Sequence, residues 1–143
     1  ICNLEDGFMT TKEFLNQAYR IDQRINSKLE QIISLHALAT KAMSTLSDMP
    51  INKTESQSRM ADIIAKIVDL ENEINADIDR LVEIKKDIVS TIKKVQNPEL
   101  QTLLELRYLC FRTWEQVASE MGYSIQNAYK LHDRAIKILK RVE

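Results

Sequence analysis

Apolar residues recur at steps of three and four along most of the chain, which is the period of an amphipathic helix. One such run extends from Phe14 to Leu46, and a second extends from Met60 to Val95. Turn-forming residues and a proline occupy residues 47–53, so the chain is predicted to reverse direction there. Two long helices joined in this way predict an antiparallel hairpin. The steps resemble a mixed heptad and eleven-residue repeat, for which we expect little supercoiling.

Pairs of residues three positions apart predict where several helices begin, because they match the capping box. These pairs are Thr10 with Glu13, Thr54 with Gln57, and Thr113 with Gln116. Asn97 can cap a further helix whose first residue is Pro98. We therefore predict an assembly region over residues 9–96 and a C-terminal unit over residues 97–143. Residues 1–8 are interpreted as an extension that comes from cloning or from upstream translation.

The C-terminal unit contains a corner at one of the chain's 2 glycines, Gly122. Glycine takes a positive φ without steric cost, and Ser124 two residues later can cap the last helix. Small residues at Ala118 and Ala128 allow two helices to cross closely at a steep angle. A plain helical hairpin would also accept the glycine, but the combination favours a helix-turn-helix. The predicted fold is therefore all-α, with a long antiparallel hairpin followed by a helix-turn-helix module.

The last helix carries amide and basic side chains on the side opposite its apolar stripe. From Ser124 to Glu143 there are five basic and two acidic residues, although the whole chain has a net charge of -1. Amide side chains can pair with adenine, and basic ones reach guanine or phosphate. Residues at the starts of the last two helices can contact phosphate. The candidate DNA contacts are Arg112, Thr113, Ser124, Gln126, Asn127, Lys130, Arg134 and Lys137.

The two long helices carry more apolar residues than a contact between two helices needs. We interpret the excess as a surface for a second copy of the chain, giving a four-helix core in a homodimer or a higher homo-oligomer. The alternative is that these residues cover the C-terminal unit of their own chain. The predicted assembly core consists of Ile25, Leu29, Ile32, His36, Ile67, Leu70, Ile74 and Ile78.

Composition excludes several other classes of protein. No apolar run approaches the roughly 18 residues of a membrane span, so no membrane contact is expected. Cys2 and Cys110 lack paired spacing, which indicates a reducing, cytoplasmic location, and Cys110 is expected to be buried. No nucleophile motif, phosphate loop or carboxylate cluster indicates catalysis, and no grouping of residues indicates a metal or cofactor. The chain is therefore not expected to be an enzyme.

Residues 100–139 resemble the C-terminal promoter-reading region of sigma-70-type factors. The matching residues are Leu106, Arg107, Tyr108, Thr113, Val117, Ala118, Gly122, Ser124, Arg134, Ala135 and Leu139. Gln116 and His132 depart from that pattern, which usually has glutamate and leucine there. From about Met9, the chain is similar to small proteins of phages and prophages of Gram-positive bacteria, whose relatives include late-gene transcriptional activators.

This resemblance implies a sequence-specific DNA-binding regulator of phage or prophage genes, and activation is favoured over repression. The partner would be double-stranded DNA in the cytoplasm of a bacterial host, without a cofactor. A second hypothesis is a protein-interaction module whose hairpin binds RNA polymerase or another host protein. A third is a small subunit of a phage DNA-packaging machine, which would also combine helical assembly with DNA contact.

Overall fold

A computed structural model describes residues 9–46 and 53–142. Its six helices are α1 (Thr11–Leu15), α2 (Gln17–Leu46), α3 (Lys53–Ile92), α4 (Pro98–Tyr108), α5 (Trp114–Met121) and α6 (Ile125–Val142). No strand occurs in these residues, so the prediction of an all-α chain is confirmed. The proposed extension at residues 1–8 and most of the predicted turn at residues 47–53 lie outside the described ranges.

Local capping signals place most of the helix starts correctly. Thr10 and Glu13 form a reciprocal capping box before α1, and the Asn97 side chain accepts a hydrogen bond from the Glu99 N–H at the start of α4. The prediction that Thr54 caps the second long helix is wrong, because α3 already includes Lys53. Thr54 therefore lies within the helix. The first predicted helix is also interrupted at Asn16, where α1 ends.

The chain divides into two compact units, and this division differs from the predicted boundary between residues 96 and 97. Of the described residues, the first unit contains those up to Ile21 and those from Leu81 onward. The second unit contains the described residues between Asp22 and Arg80. The boundary differs because the start of α2 and the end of α3 belong to the same core as the three C-terminal helices.

The core of the first unit combines side chains from all six helices. Its buried residues are Phe14, Leu15, Ala18, Ile88, Ile92, Val95, Leu100, Leu103, Leu104, Tyr108, Val117, Leu131, Ala135, Ile136 and Leu139. Helix α4 supplies four of these residues, as expected from its leucine-rich sequence. Burial of this many large apolar side chains stabilises the unit, at about 1.5–3 kcal/mol for each fully buried one.

In the second unit, the residues that α2 and α3 turn toward each other recur strictly in sevens. From Ile25 onward, the buried and half-buried positions on α2 are Ile25, Lys28, Ile32, Leu35, Ala39 and Ala42, and on α3 they are Ser56, Met60, Ile63, Ile67, Leu70, Ile74 and Asp77. We call these residues the seam. The mixed repeat inferred from the sequence is therefore wrong, because the seam passes through Lys28 and Asp77. A strict heptad favours a left-handed supercoil.

Lys28 and Asp77 pair with each other at the middle of the seam. The Lys28 ammonium donates a hydrogen bond of 2.6 Å to Asp77 Oδ2, and the two side chains are only 15% and 6% exposed. The hydrogen bond from Lys28 holds the pKa of Asp77 below its usual value, and Arg24 acts in the same direction against the effect of burial. Arg24 lies 3.7 Å from Asp77, and Lys28, one turn later on α2, lies 3.6 Å from Glu73, one turn earlier on α3. The two helices are therefore antiparallel in this unit.

The eight residues predicted to assemble copies of the chain fall into three groups. Ile25, Ile67 and Ile74 are buried against their own chain, while Ile32 and Leu70 are half-buried in the seam. The remaining three, Leu29, His36 and Ile78, are exposed. His36 is therefore not a residue of the intrachain seam, since that position belongs to Leu35.

Candidate nucleic-acid interface

Helix α5 begins with a capping box formed by Thr113 and Gln116. The Thr113 hydroxyl accepts a hydrogen bond of 3.2 Å from the Gln116 N–H, and the Thr113 N–H donates one of 3.0 Å to the Gln116 side chain. These bonds satisfy backbone donors that a helix start otherwise leaves open. Glutamine therefore performs the capping role for which the sigma pattern usually has glutamate.

Helix α5 ends at the left-handed corner that the sequence predicted. Gly122 has φ 75° and ψ 30°, and its N–H donates to the carbonyl of Ser119. The Tyr123 N–H donates to the carbonyl of Ala118 at 2.8 Å, which completes a Schellman motif. Space around Gly122 is open, so the positive φ rather than crowding accounts for the glycine.

Helix α6 starts directly after this corner and contacts α4 and α5. The Ser124 hydroxyl accepts a hydrogen bond of 3.1 Å from the Asn127 N–H, so Ser124 caps the helix as predicted. Ala118 on α5 and Ala128 on α6 are both buried. Small side chains are therefore present on the two facing helices, as a close crossing requires.

His132 is buried on the inner side of α6, together with the apolar residues of that helix. Its Nε2 lies 2.5 Å from the Tyr108 hydroxyl in a hydrogen bond, and its ring meets the edge of the Trp114 ring at 4.7 Å between centroids. Burial lowers the pKa of His132 to about 4, and Lys12 and Arg107 act in the same direction against Asp133. The neutral imidazole thus packs inward, where the sigma pattern usually has leucine.

Two neighbours of His132 strengthen this contact between helices. Burial raises the pKa of Tyr108 to about 12, so its hydroxyl keeps its proton at neutral pH. The Arg107 guanidinium lies 4.9 Å from the centre of the Trp114 ring, a favourable cation–π distance. Helices α4, α5 and α6 are therefore connected by one polar and aromatic cluster, in which Tyr108 and His132 are buried and Trp114 is half-buried.

Opposite the buried stripe, α6 exposes a mainly basic surface, which we call the basic face. It consists of Gln126, Tyr129, Lys130, Asp133, Arg134, Lys137, Lys140 and Arg141. Five of these residues are basic and one is acidic. Within the described ranges, none of the five basic side chains forms an ion pair. Their charge is therefore available to a negatively charged ligand.

The structure separates the eight predicted DNA contacts by position. Four of them, Gln126, Lys130, Arg134 and Lys137, lie together on the basic face. Asn127 is half-buried at its edge, and Thr113 and Ser124 are exposed but use their hydroxyl oxygens to cap α5 and α6. Arg112 is exposed and forms an ion pair of 3.2 Å with Glu120.

Sequence reasoning missed Tyr129, which lies on the basic face at 46% exposure. Its ring packs against Trp114 with 5.2 Å between centroids, so α5 supports it from below. Apolar groups in this position can contact a thymine methyl group. The spacing of Tyr129 from Gln126 and Asp133, three and four residues, was the signal that could have identified it.

Other site chemistry finds little support in the residues that the structure describes. No group of three or more His, Cys, Asp or Glu side chains there is arranged to hold a metal ion. No helix in the same ranges is both long and apolar enough to cross a membrane. Cys110 is exposed and free, which corrects the expectation of burial, because it lies in the turn after α4.

These features define an all-α protein in which a helical hairpin is followed by three packed helices, the last with a basic face. The chain belongs to the family described as protein of unknown function DUF1492, which matches residues 44–140. The search of curated proteins found no match, and the search of solved structures found none either.

Proposed function

We propose that the protein is a sequence-specific DNA-binding regulator of transcription, in which α5 and α6 act as a helix-turn-helix. Helix α6 would enter the major groove with its first residues against the base edges. Helix α5 would contact the phosphate backbone and support α6 in that position. The sigma-like pattern in the sequence favours a promoter as the target, with activation of phage or prophage genes as the regulatory role.

The single observation that carries this proposal is the two-sided nature of α6. One side is buried in the core, whereas the other exposes five basic side chains without intramolecular ion pairs among the described residues. A protein with a net charge of -1 has no overall attraction to DNA, so a local concentration of positive charge is required. The basic face supplies that concentration.

The basic face also divides into two chemical parts. Its first turn carries Gln126, whose amide can donate to and accept from adenine, followed by Tyr129 and Lys130. Its later turns carry Lys137 and Arg141, which suit phosphate oxygens because they are charged and exposed. The proposal therefore assigns base recognition to the start of α6 and sequence-independent affinity to its end.

The hairpin of the second unit has a separate role in this proposal, which is to assemble copies of the chain. A twofold dimer would present two reading helices to half-sites one helical turn, about 34 Å, or a multiple apart. Bacterial RNA polymerase is a further candidate partner, because an activator must contact the transcription machinery.

The test is selection of bound duplexes from a random library by the purified full chain. We expect an enriched sequence motif. Replacement of Gln126 by Ala should reduce the preference for the correct base at one position of that motif by about 1–3 kcal/mol. Lys137→Ala should instead weaken binding evenly across sequences and lower the salt dependence by about one phosphate contact. Gln31→Ala, an exposed amide outside the module, is the matched control. Equal affinity for all duplexes would contradict sequence-specific recognition.

A further inference from the structure

The two sides of the hairpin in the second unit differ sharply in character. On one side lie six exposed apolar residues, each immediately after a seam position, with exposures from 42% to 68%. We call them the apolar side: Leu29, Ile33, Met43, Ile64, Val68 and Ile78. Because α2 and α3 are antiparallel and share a heptad, residues that follow seam positions on both helices project from the same side.

Residues immediately before seam positions lie on the opposite side, and these are mostly polar. They include Ser27, Gln31, Ser34, Lys66, Asp69 and Glu73, with Leu38 as an exposed apolar member near one end. The excess of exposed apolar residues is therefore confined to one side of the hairpin. Such a distribution indicates a surface that is covered in the functional protein.

We propose that the apolar side is the surface through which two copies of this chain pair as a four-helix bundle. Measured along the axis of the hairpin, from Ile78 on α3 to Met43 on α2, the apolar side is about 18 residues or about 27 Å long. Two helices side by side are about 20 Å wide. The projected area is therefore about 550 Å² before surface relief is counted. This approaches the roughly 800 Å² per partner of a stable interface and lies at the upper end of the roughly 300–600 Å² of the largest patch on a typical monomer.

The arrangement of side chains specifies a second copy rather than an unrelated helix. Leu29, His36 and Met43 repeat every seven residues on α2, as do Ile64, Glu71 and Ile78 on α3. A second hairpin offers rows with the same spacing, so apolar residues of the two copies meet on both sides of the level that contains His36 and Glu71. A twofold axis parallel to the helices would lay α2 of one copy on α3 of its partner.

The polar groups of the apolar side also match in that arrangement. His36 and Glu71 both follow seam positions, so both lie on the apolar side. The contacts of Lys28 with Glu73 and Asp77 show how far α2 and α3 are offset along their axes. With this offset, Glu71 lies within about one helical turn of His36 along the hairpin. The twofold axis then brings the imidazole of each copy toward the partner's Glu71. An apolar helix from another protein would leave this carboxylate without a partner.

The inference rests on the proposed function only in that two reading modules need a means of assembly. Its test uses the full chain without DNA, and measures mass by light scattering and sedimentation across a range of concentrations. We expect a particle of twice the 16.6 kDa chain mass. Ile33→Glu should weaken pairing by about 100-fold or more, because twofold symmetry places the new carboxylate in the interface twice.

Ile64→Glu provides an independent variant on the other helix, and Gln31→Glu is the control on the polar side. All three positions are exposed, so helix content measured by circular dichroism should stay unchanged. A wild-type chain that remains monomeric at every concentration would overturn the inference, as would an Ile33→Glu variant with wild-type mass. A dimer that binds no duplex contradicts only the regulator proposal, whereas a monomer with sequence-specific binding contradicts only this interface.

Discussion

The two units of the protein enclose their apolar residues to very different degrees. The largest fully buried side chains, such as Leu15, Leu104 and Leu139, all belong to the first unit. Among the described residues of the second unit, only Ile25, Ile67 and Ile74 are buried apolar side chains. Two helices share one line of contact, whereas several helices surround a side chain from all directions. Helix number, rather than apolar content, decides which unit forms a closed core.

This difference is consistent with the role proposed for each unit. A reading helix must be held in one orientation, and α6 is held by a closed core together with the His132 cluster. The hairpin instead keeps apolar surface exposed, which suits assembly with another copy. A polar pair within an apolar seam can specify register, and we expect Lys28 and Asp77 to have this role in the seam of the hairpin.

The largest contrast should appear when one leucine is truncated in each unit. Leu104→Ala removes a side chain with 0% exposure from the closed core and should cost about 3 kcal/mol in the free energy of unfolding. Leu29→Ala removes one that is 44% exposed, and should cost below about 1 kcal/mol in the isolated chain. Chemical denaturation at low protein concentration measures both values.

Protein concentration sharpens this comparison. If Leu29 lies in the proposed dimer interface, the cost of Leu29→Ala should grow as the wild-type chain pairs, while that of Leu104→Ala should not change. Equal costs for the two substitutions at low concentration would contradict the distinction between a closed core and an open seam.

A smaller effect is expected from breaking the polar pair of the hairpin. Asp77→Ala leaves the Lys28 ammonium largely buried without its closest partner, which should destabilise the chain by about 2–3 kcal/mol. Replacing both residues by leucine should recover most of that loss, because an apolar pair needs no charge partner. Thermal unfolding of the single and double variants, followed by circular dichroism, measures the difference.

The double variant also tests the role of the pair in alignment. A leucine pair that restores stability but broadens the unfolding transition, or changes the oligomer, would support a role in register. A single Asp77→Ala variant as stable as the wild type would show that the pair contributes nothing to the seam.

Local backbone chemistry could be predicted from the sequence, because the signals and the structure lie within a few residues of one another. Thr113 and Gln116 form the expected capping box, and Gly122 adopts the expected positive φ. The all-α class follows from helical periodicity in the same direct way. These features depend on hydrogen bonds between near neighbours and need no knowledge of the tertiary fold.

The seam could not be placed from apolar periodicity alone. A search for the next apolar residue steps from Ile25 to Leu29 and from Ile74 to Ile78, whereas the structure steps to Lys28 and Asp77. Each charged residue is acceptable at the seam only because the other lies 2.6 Å away, 49 positions along the chain. Pairing at that separation is a tertiary property, and no local pattern reveals it.

The candidate site was predicted in part for the same reason. Exposed residues of α6 such as Gln126 and Lys137 follow from helix geometry, but the inward position of His132 depends on Tyr108 and Trp114 from two other helices. Tyr129 was missed because an aromatic residue is usually assigned to the core, and its exposure is visible only once α5 is in place.

The smallest effect on stability should come from His132. It should make the first unit lose stability at a higher pH than the hairpin does. Its folded pKa of about 4 lies below the 6.5 of an ordinary imidazole, so the unfolded chain binds the proton more readily. The contribution of the neutral His132 to the free energy of unfolding is complete above pH 6.5 and is lost as the pH falls from 6.5 to 4. Asp77 contributes above its ordinary pKa of 3.8 and weakens only below it, so acid should act on the first unit before the hairpin.

A shift of this size corresponds to about 3 kcal/mol for a fully enclosed group. We expect about half of that, because the neighbouring Trp114 is itself half-exposed and solvent reaches part of the cluster. The measurement is the free energy of unfolding of the wild type and of His132→Gln between pH 7 and pH 4. The glutamine variant keeps a hydrogen-bonding group beside Tyr108 but cannot titrate, so its stability should fall less across this range. Parallel pH curves for the two proteins would mean that His132 is not the group through which acid acts on the first unit.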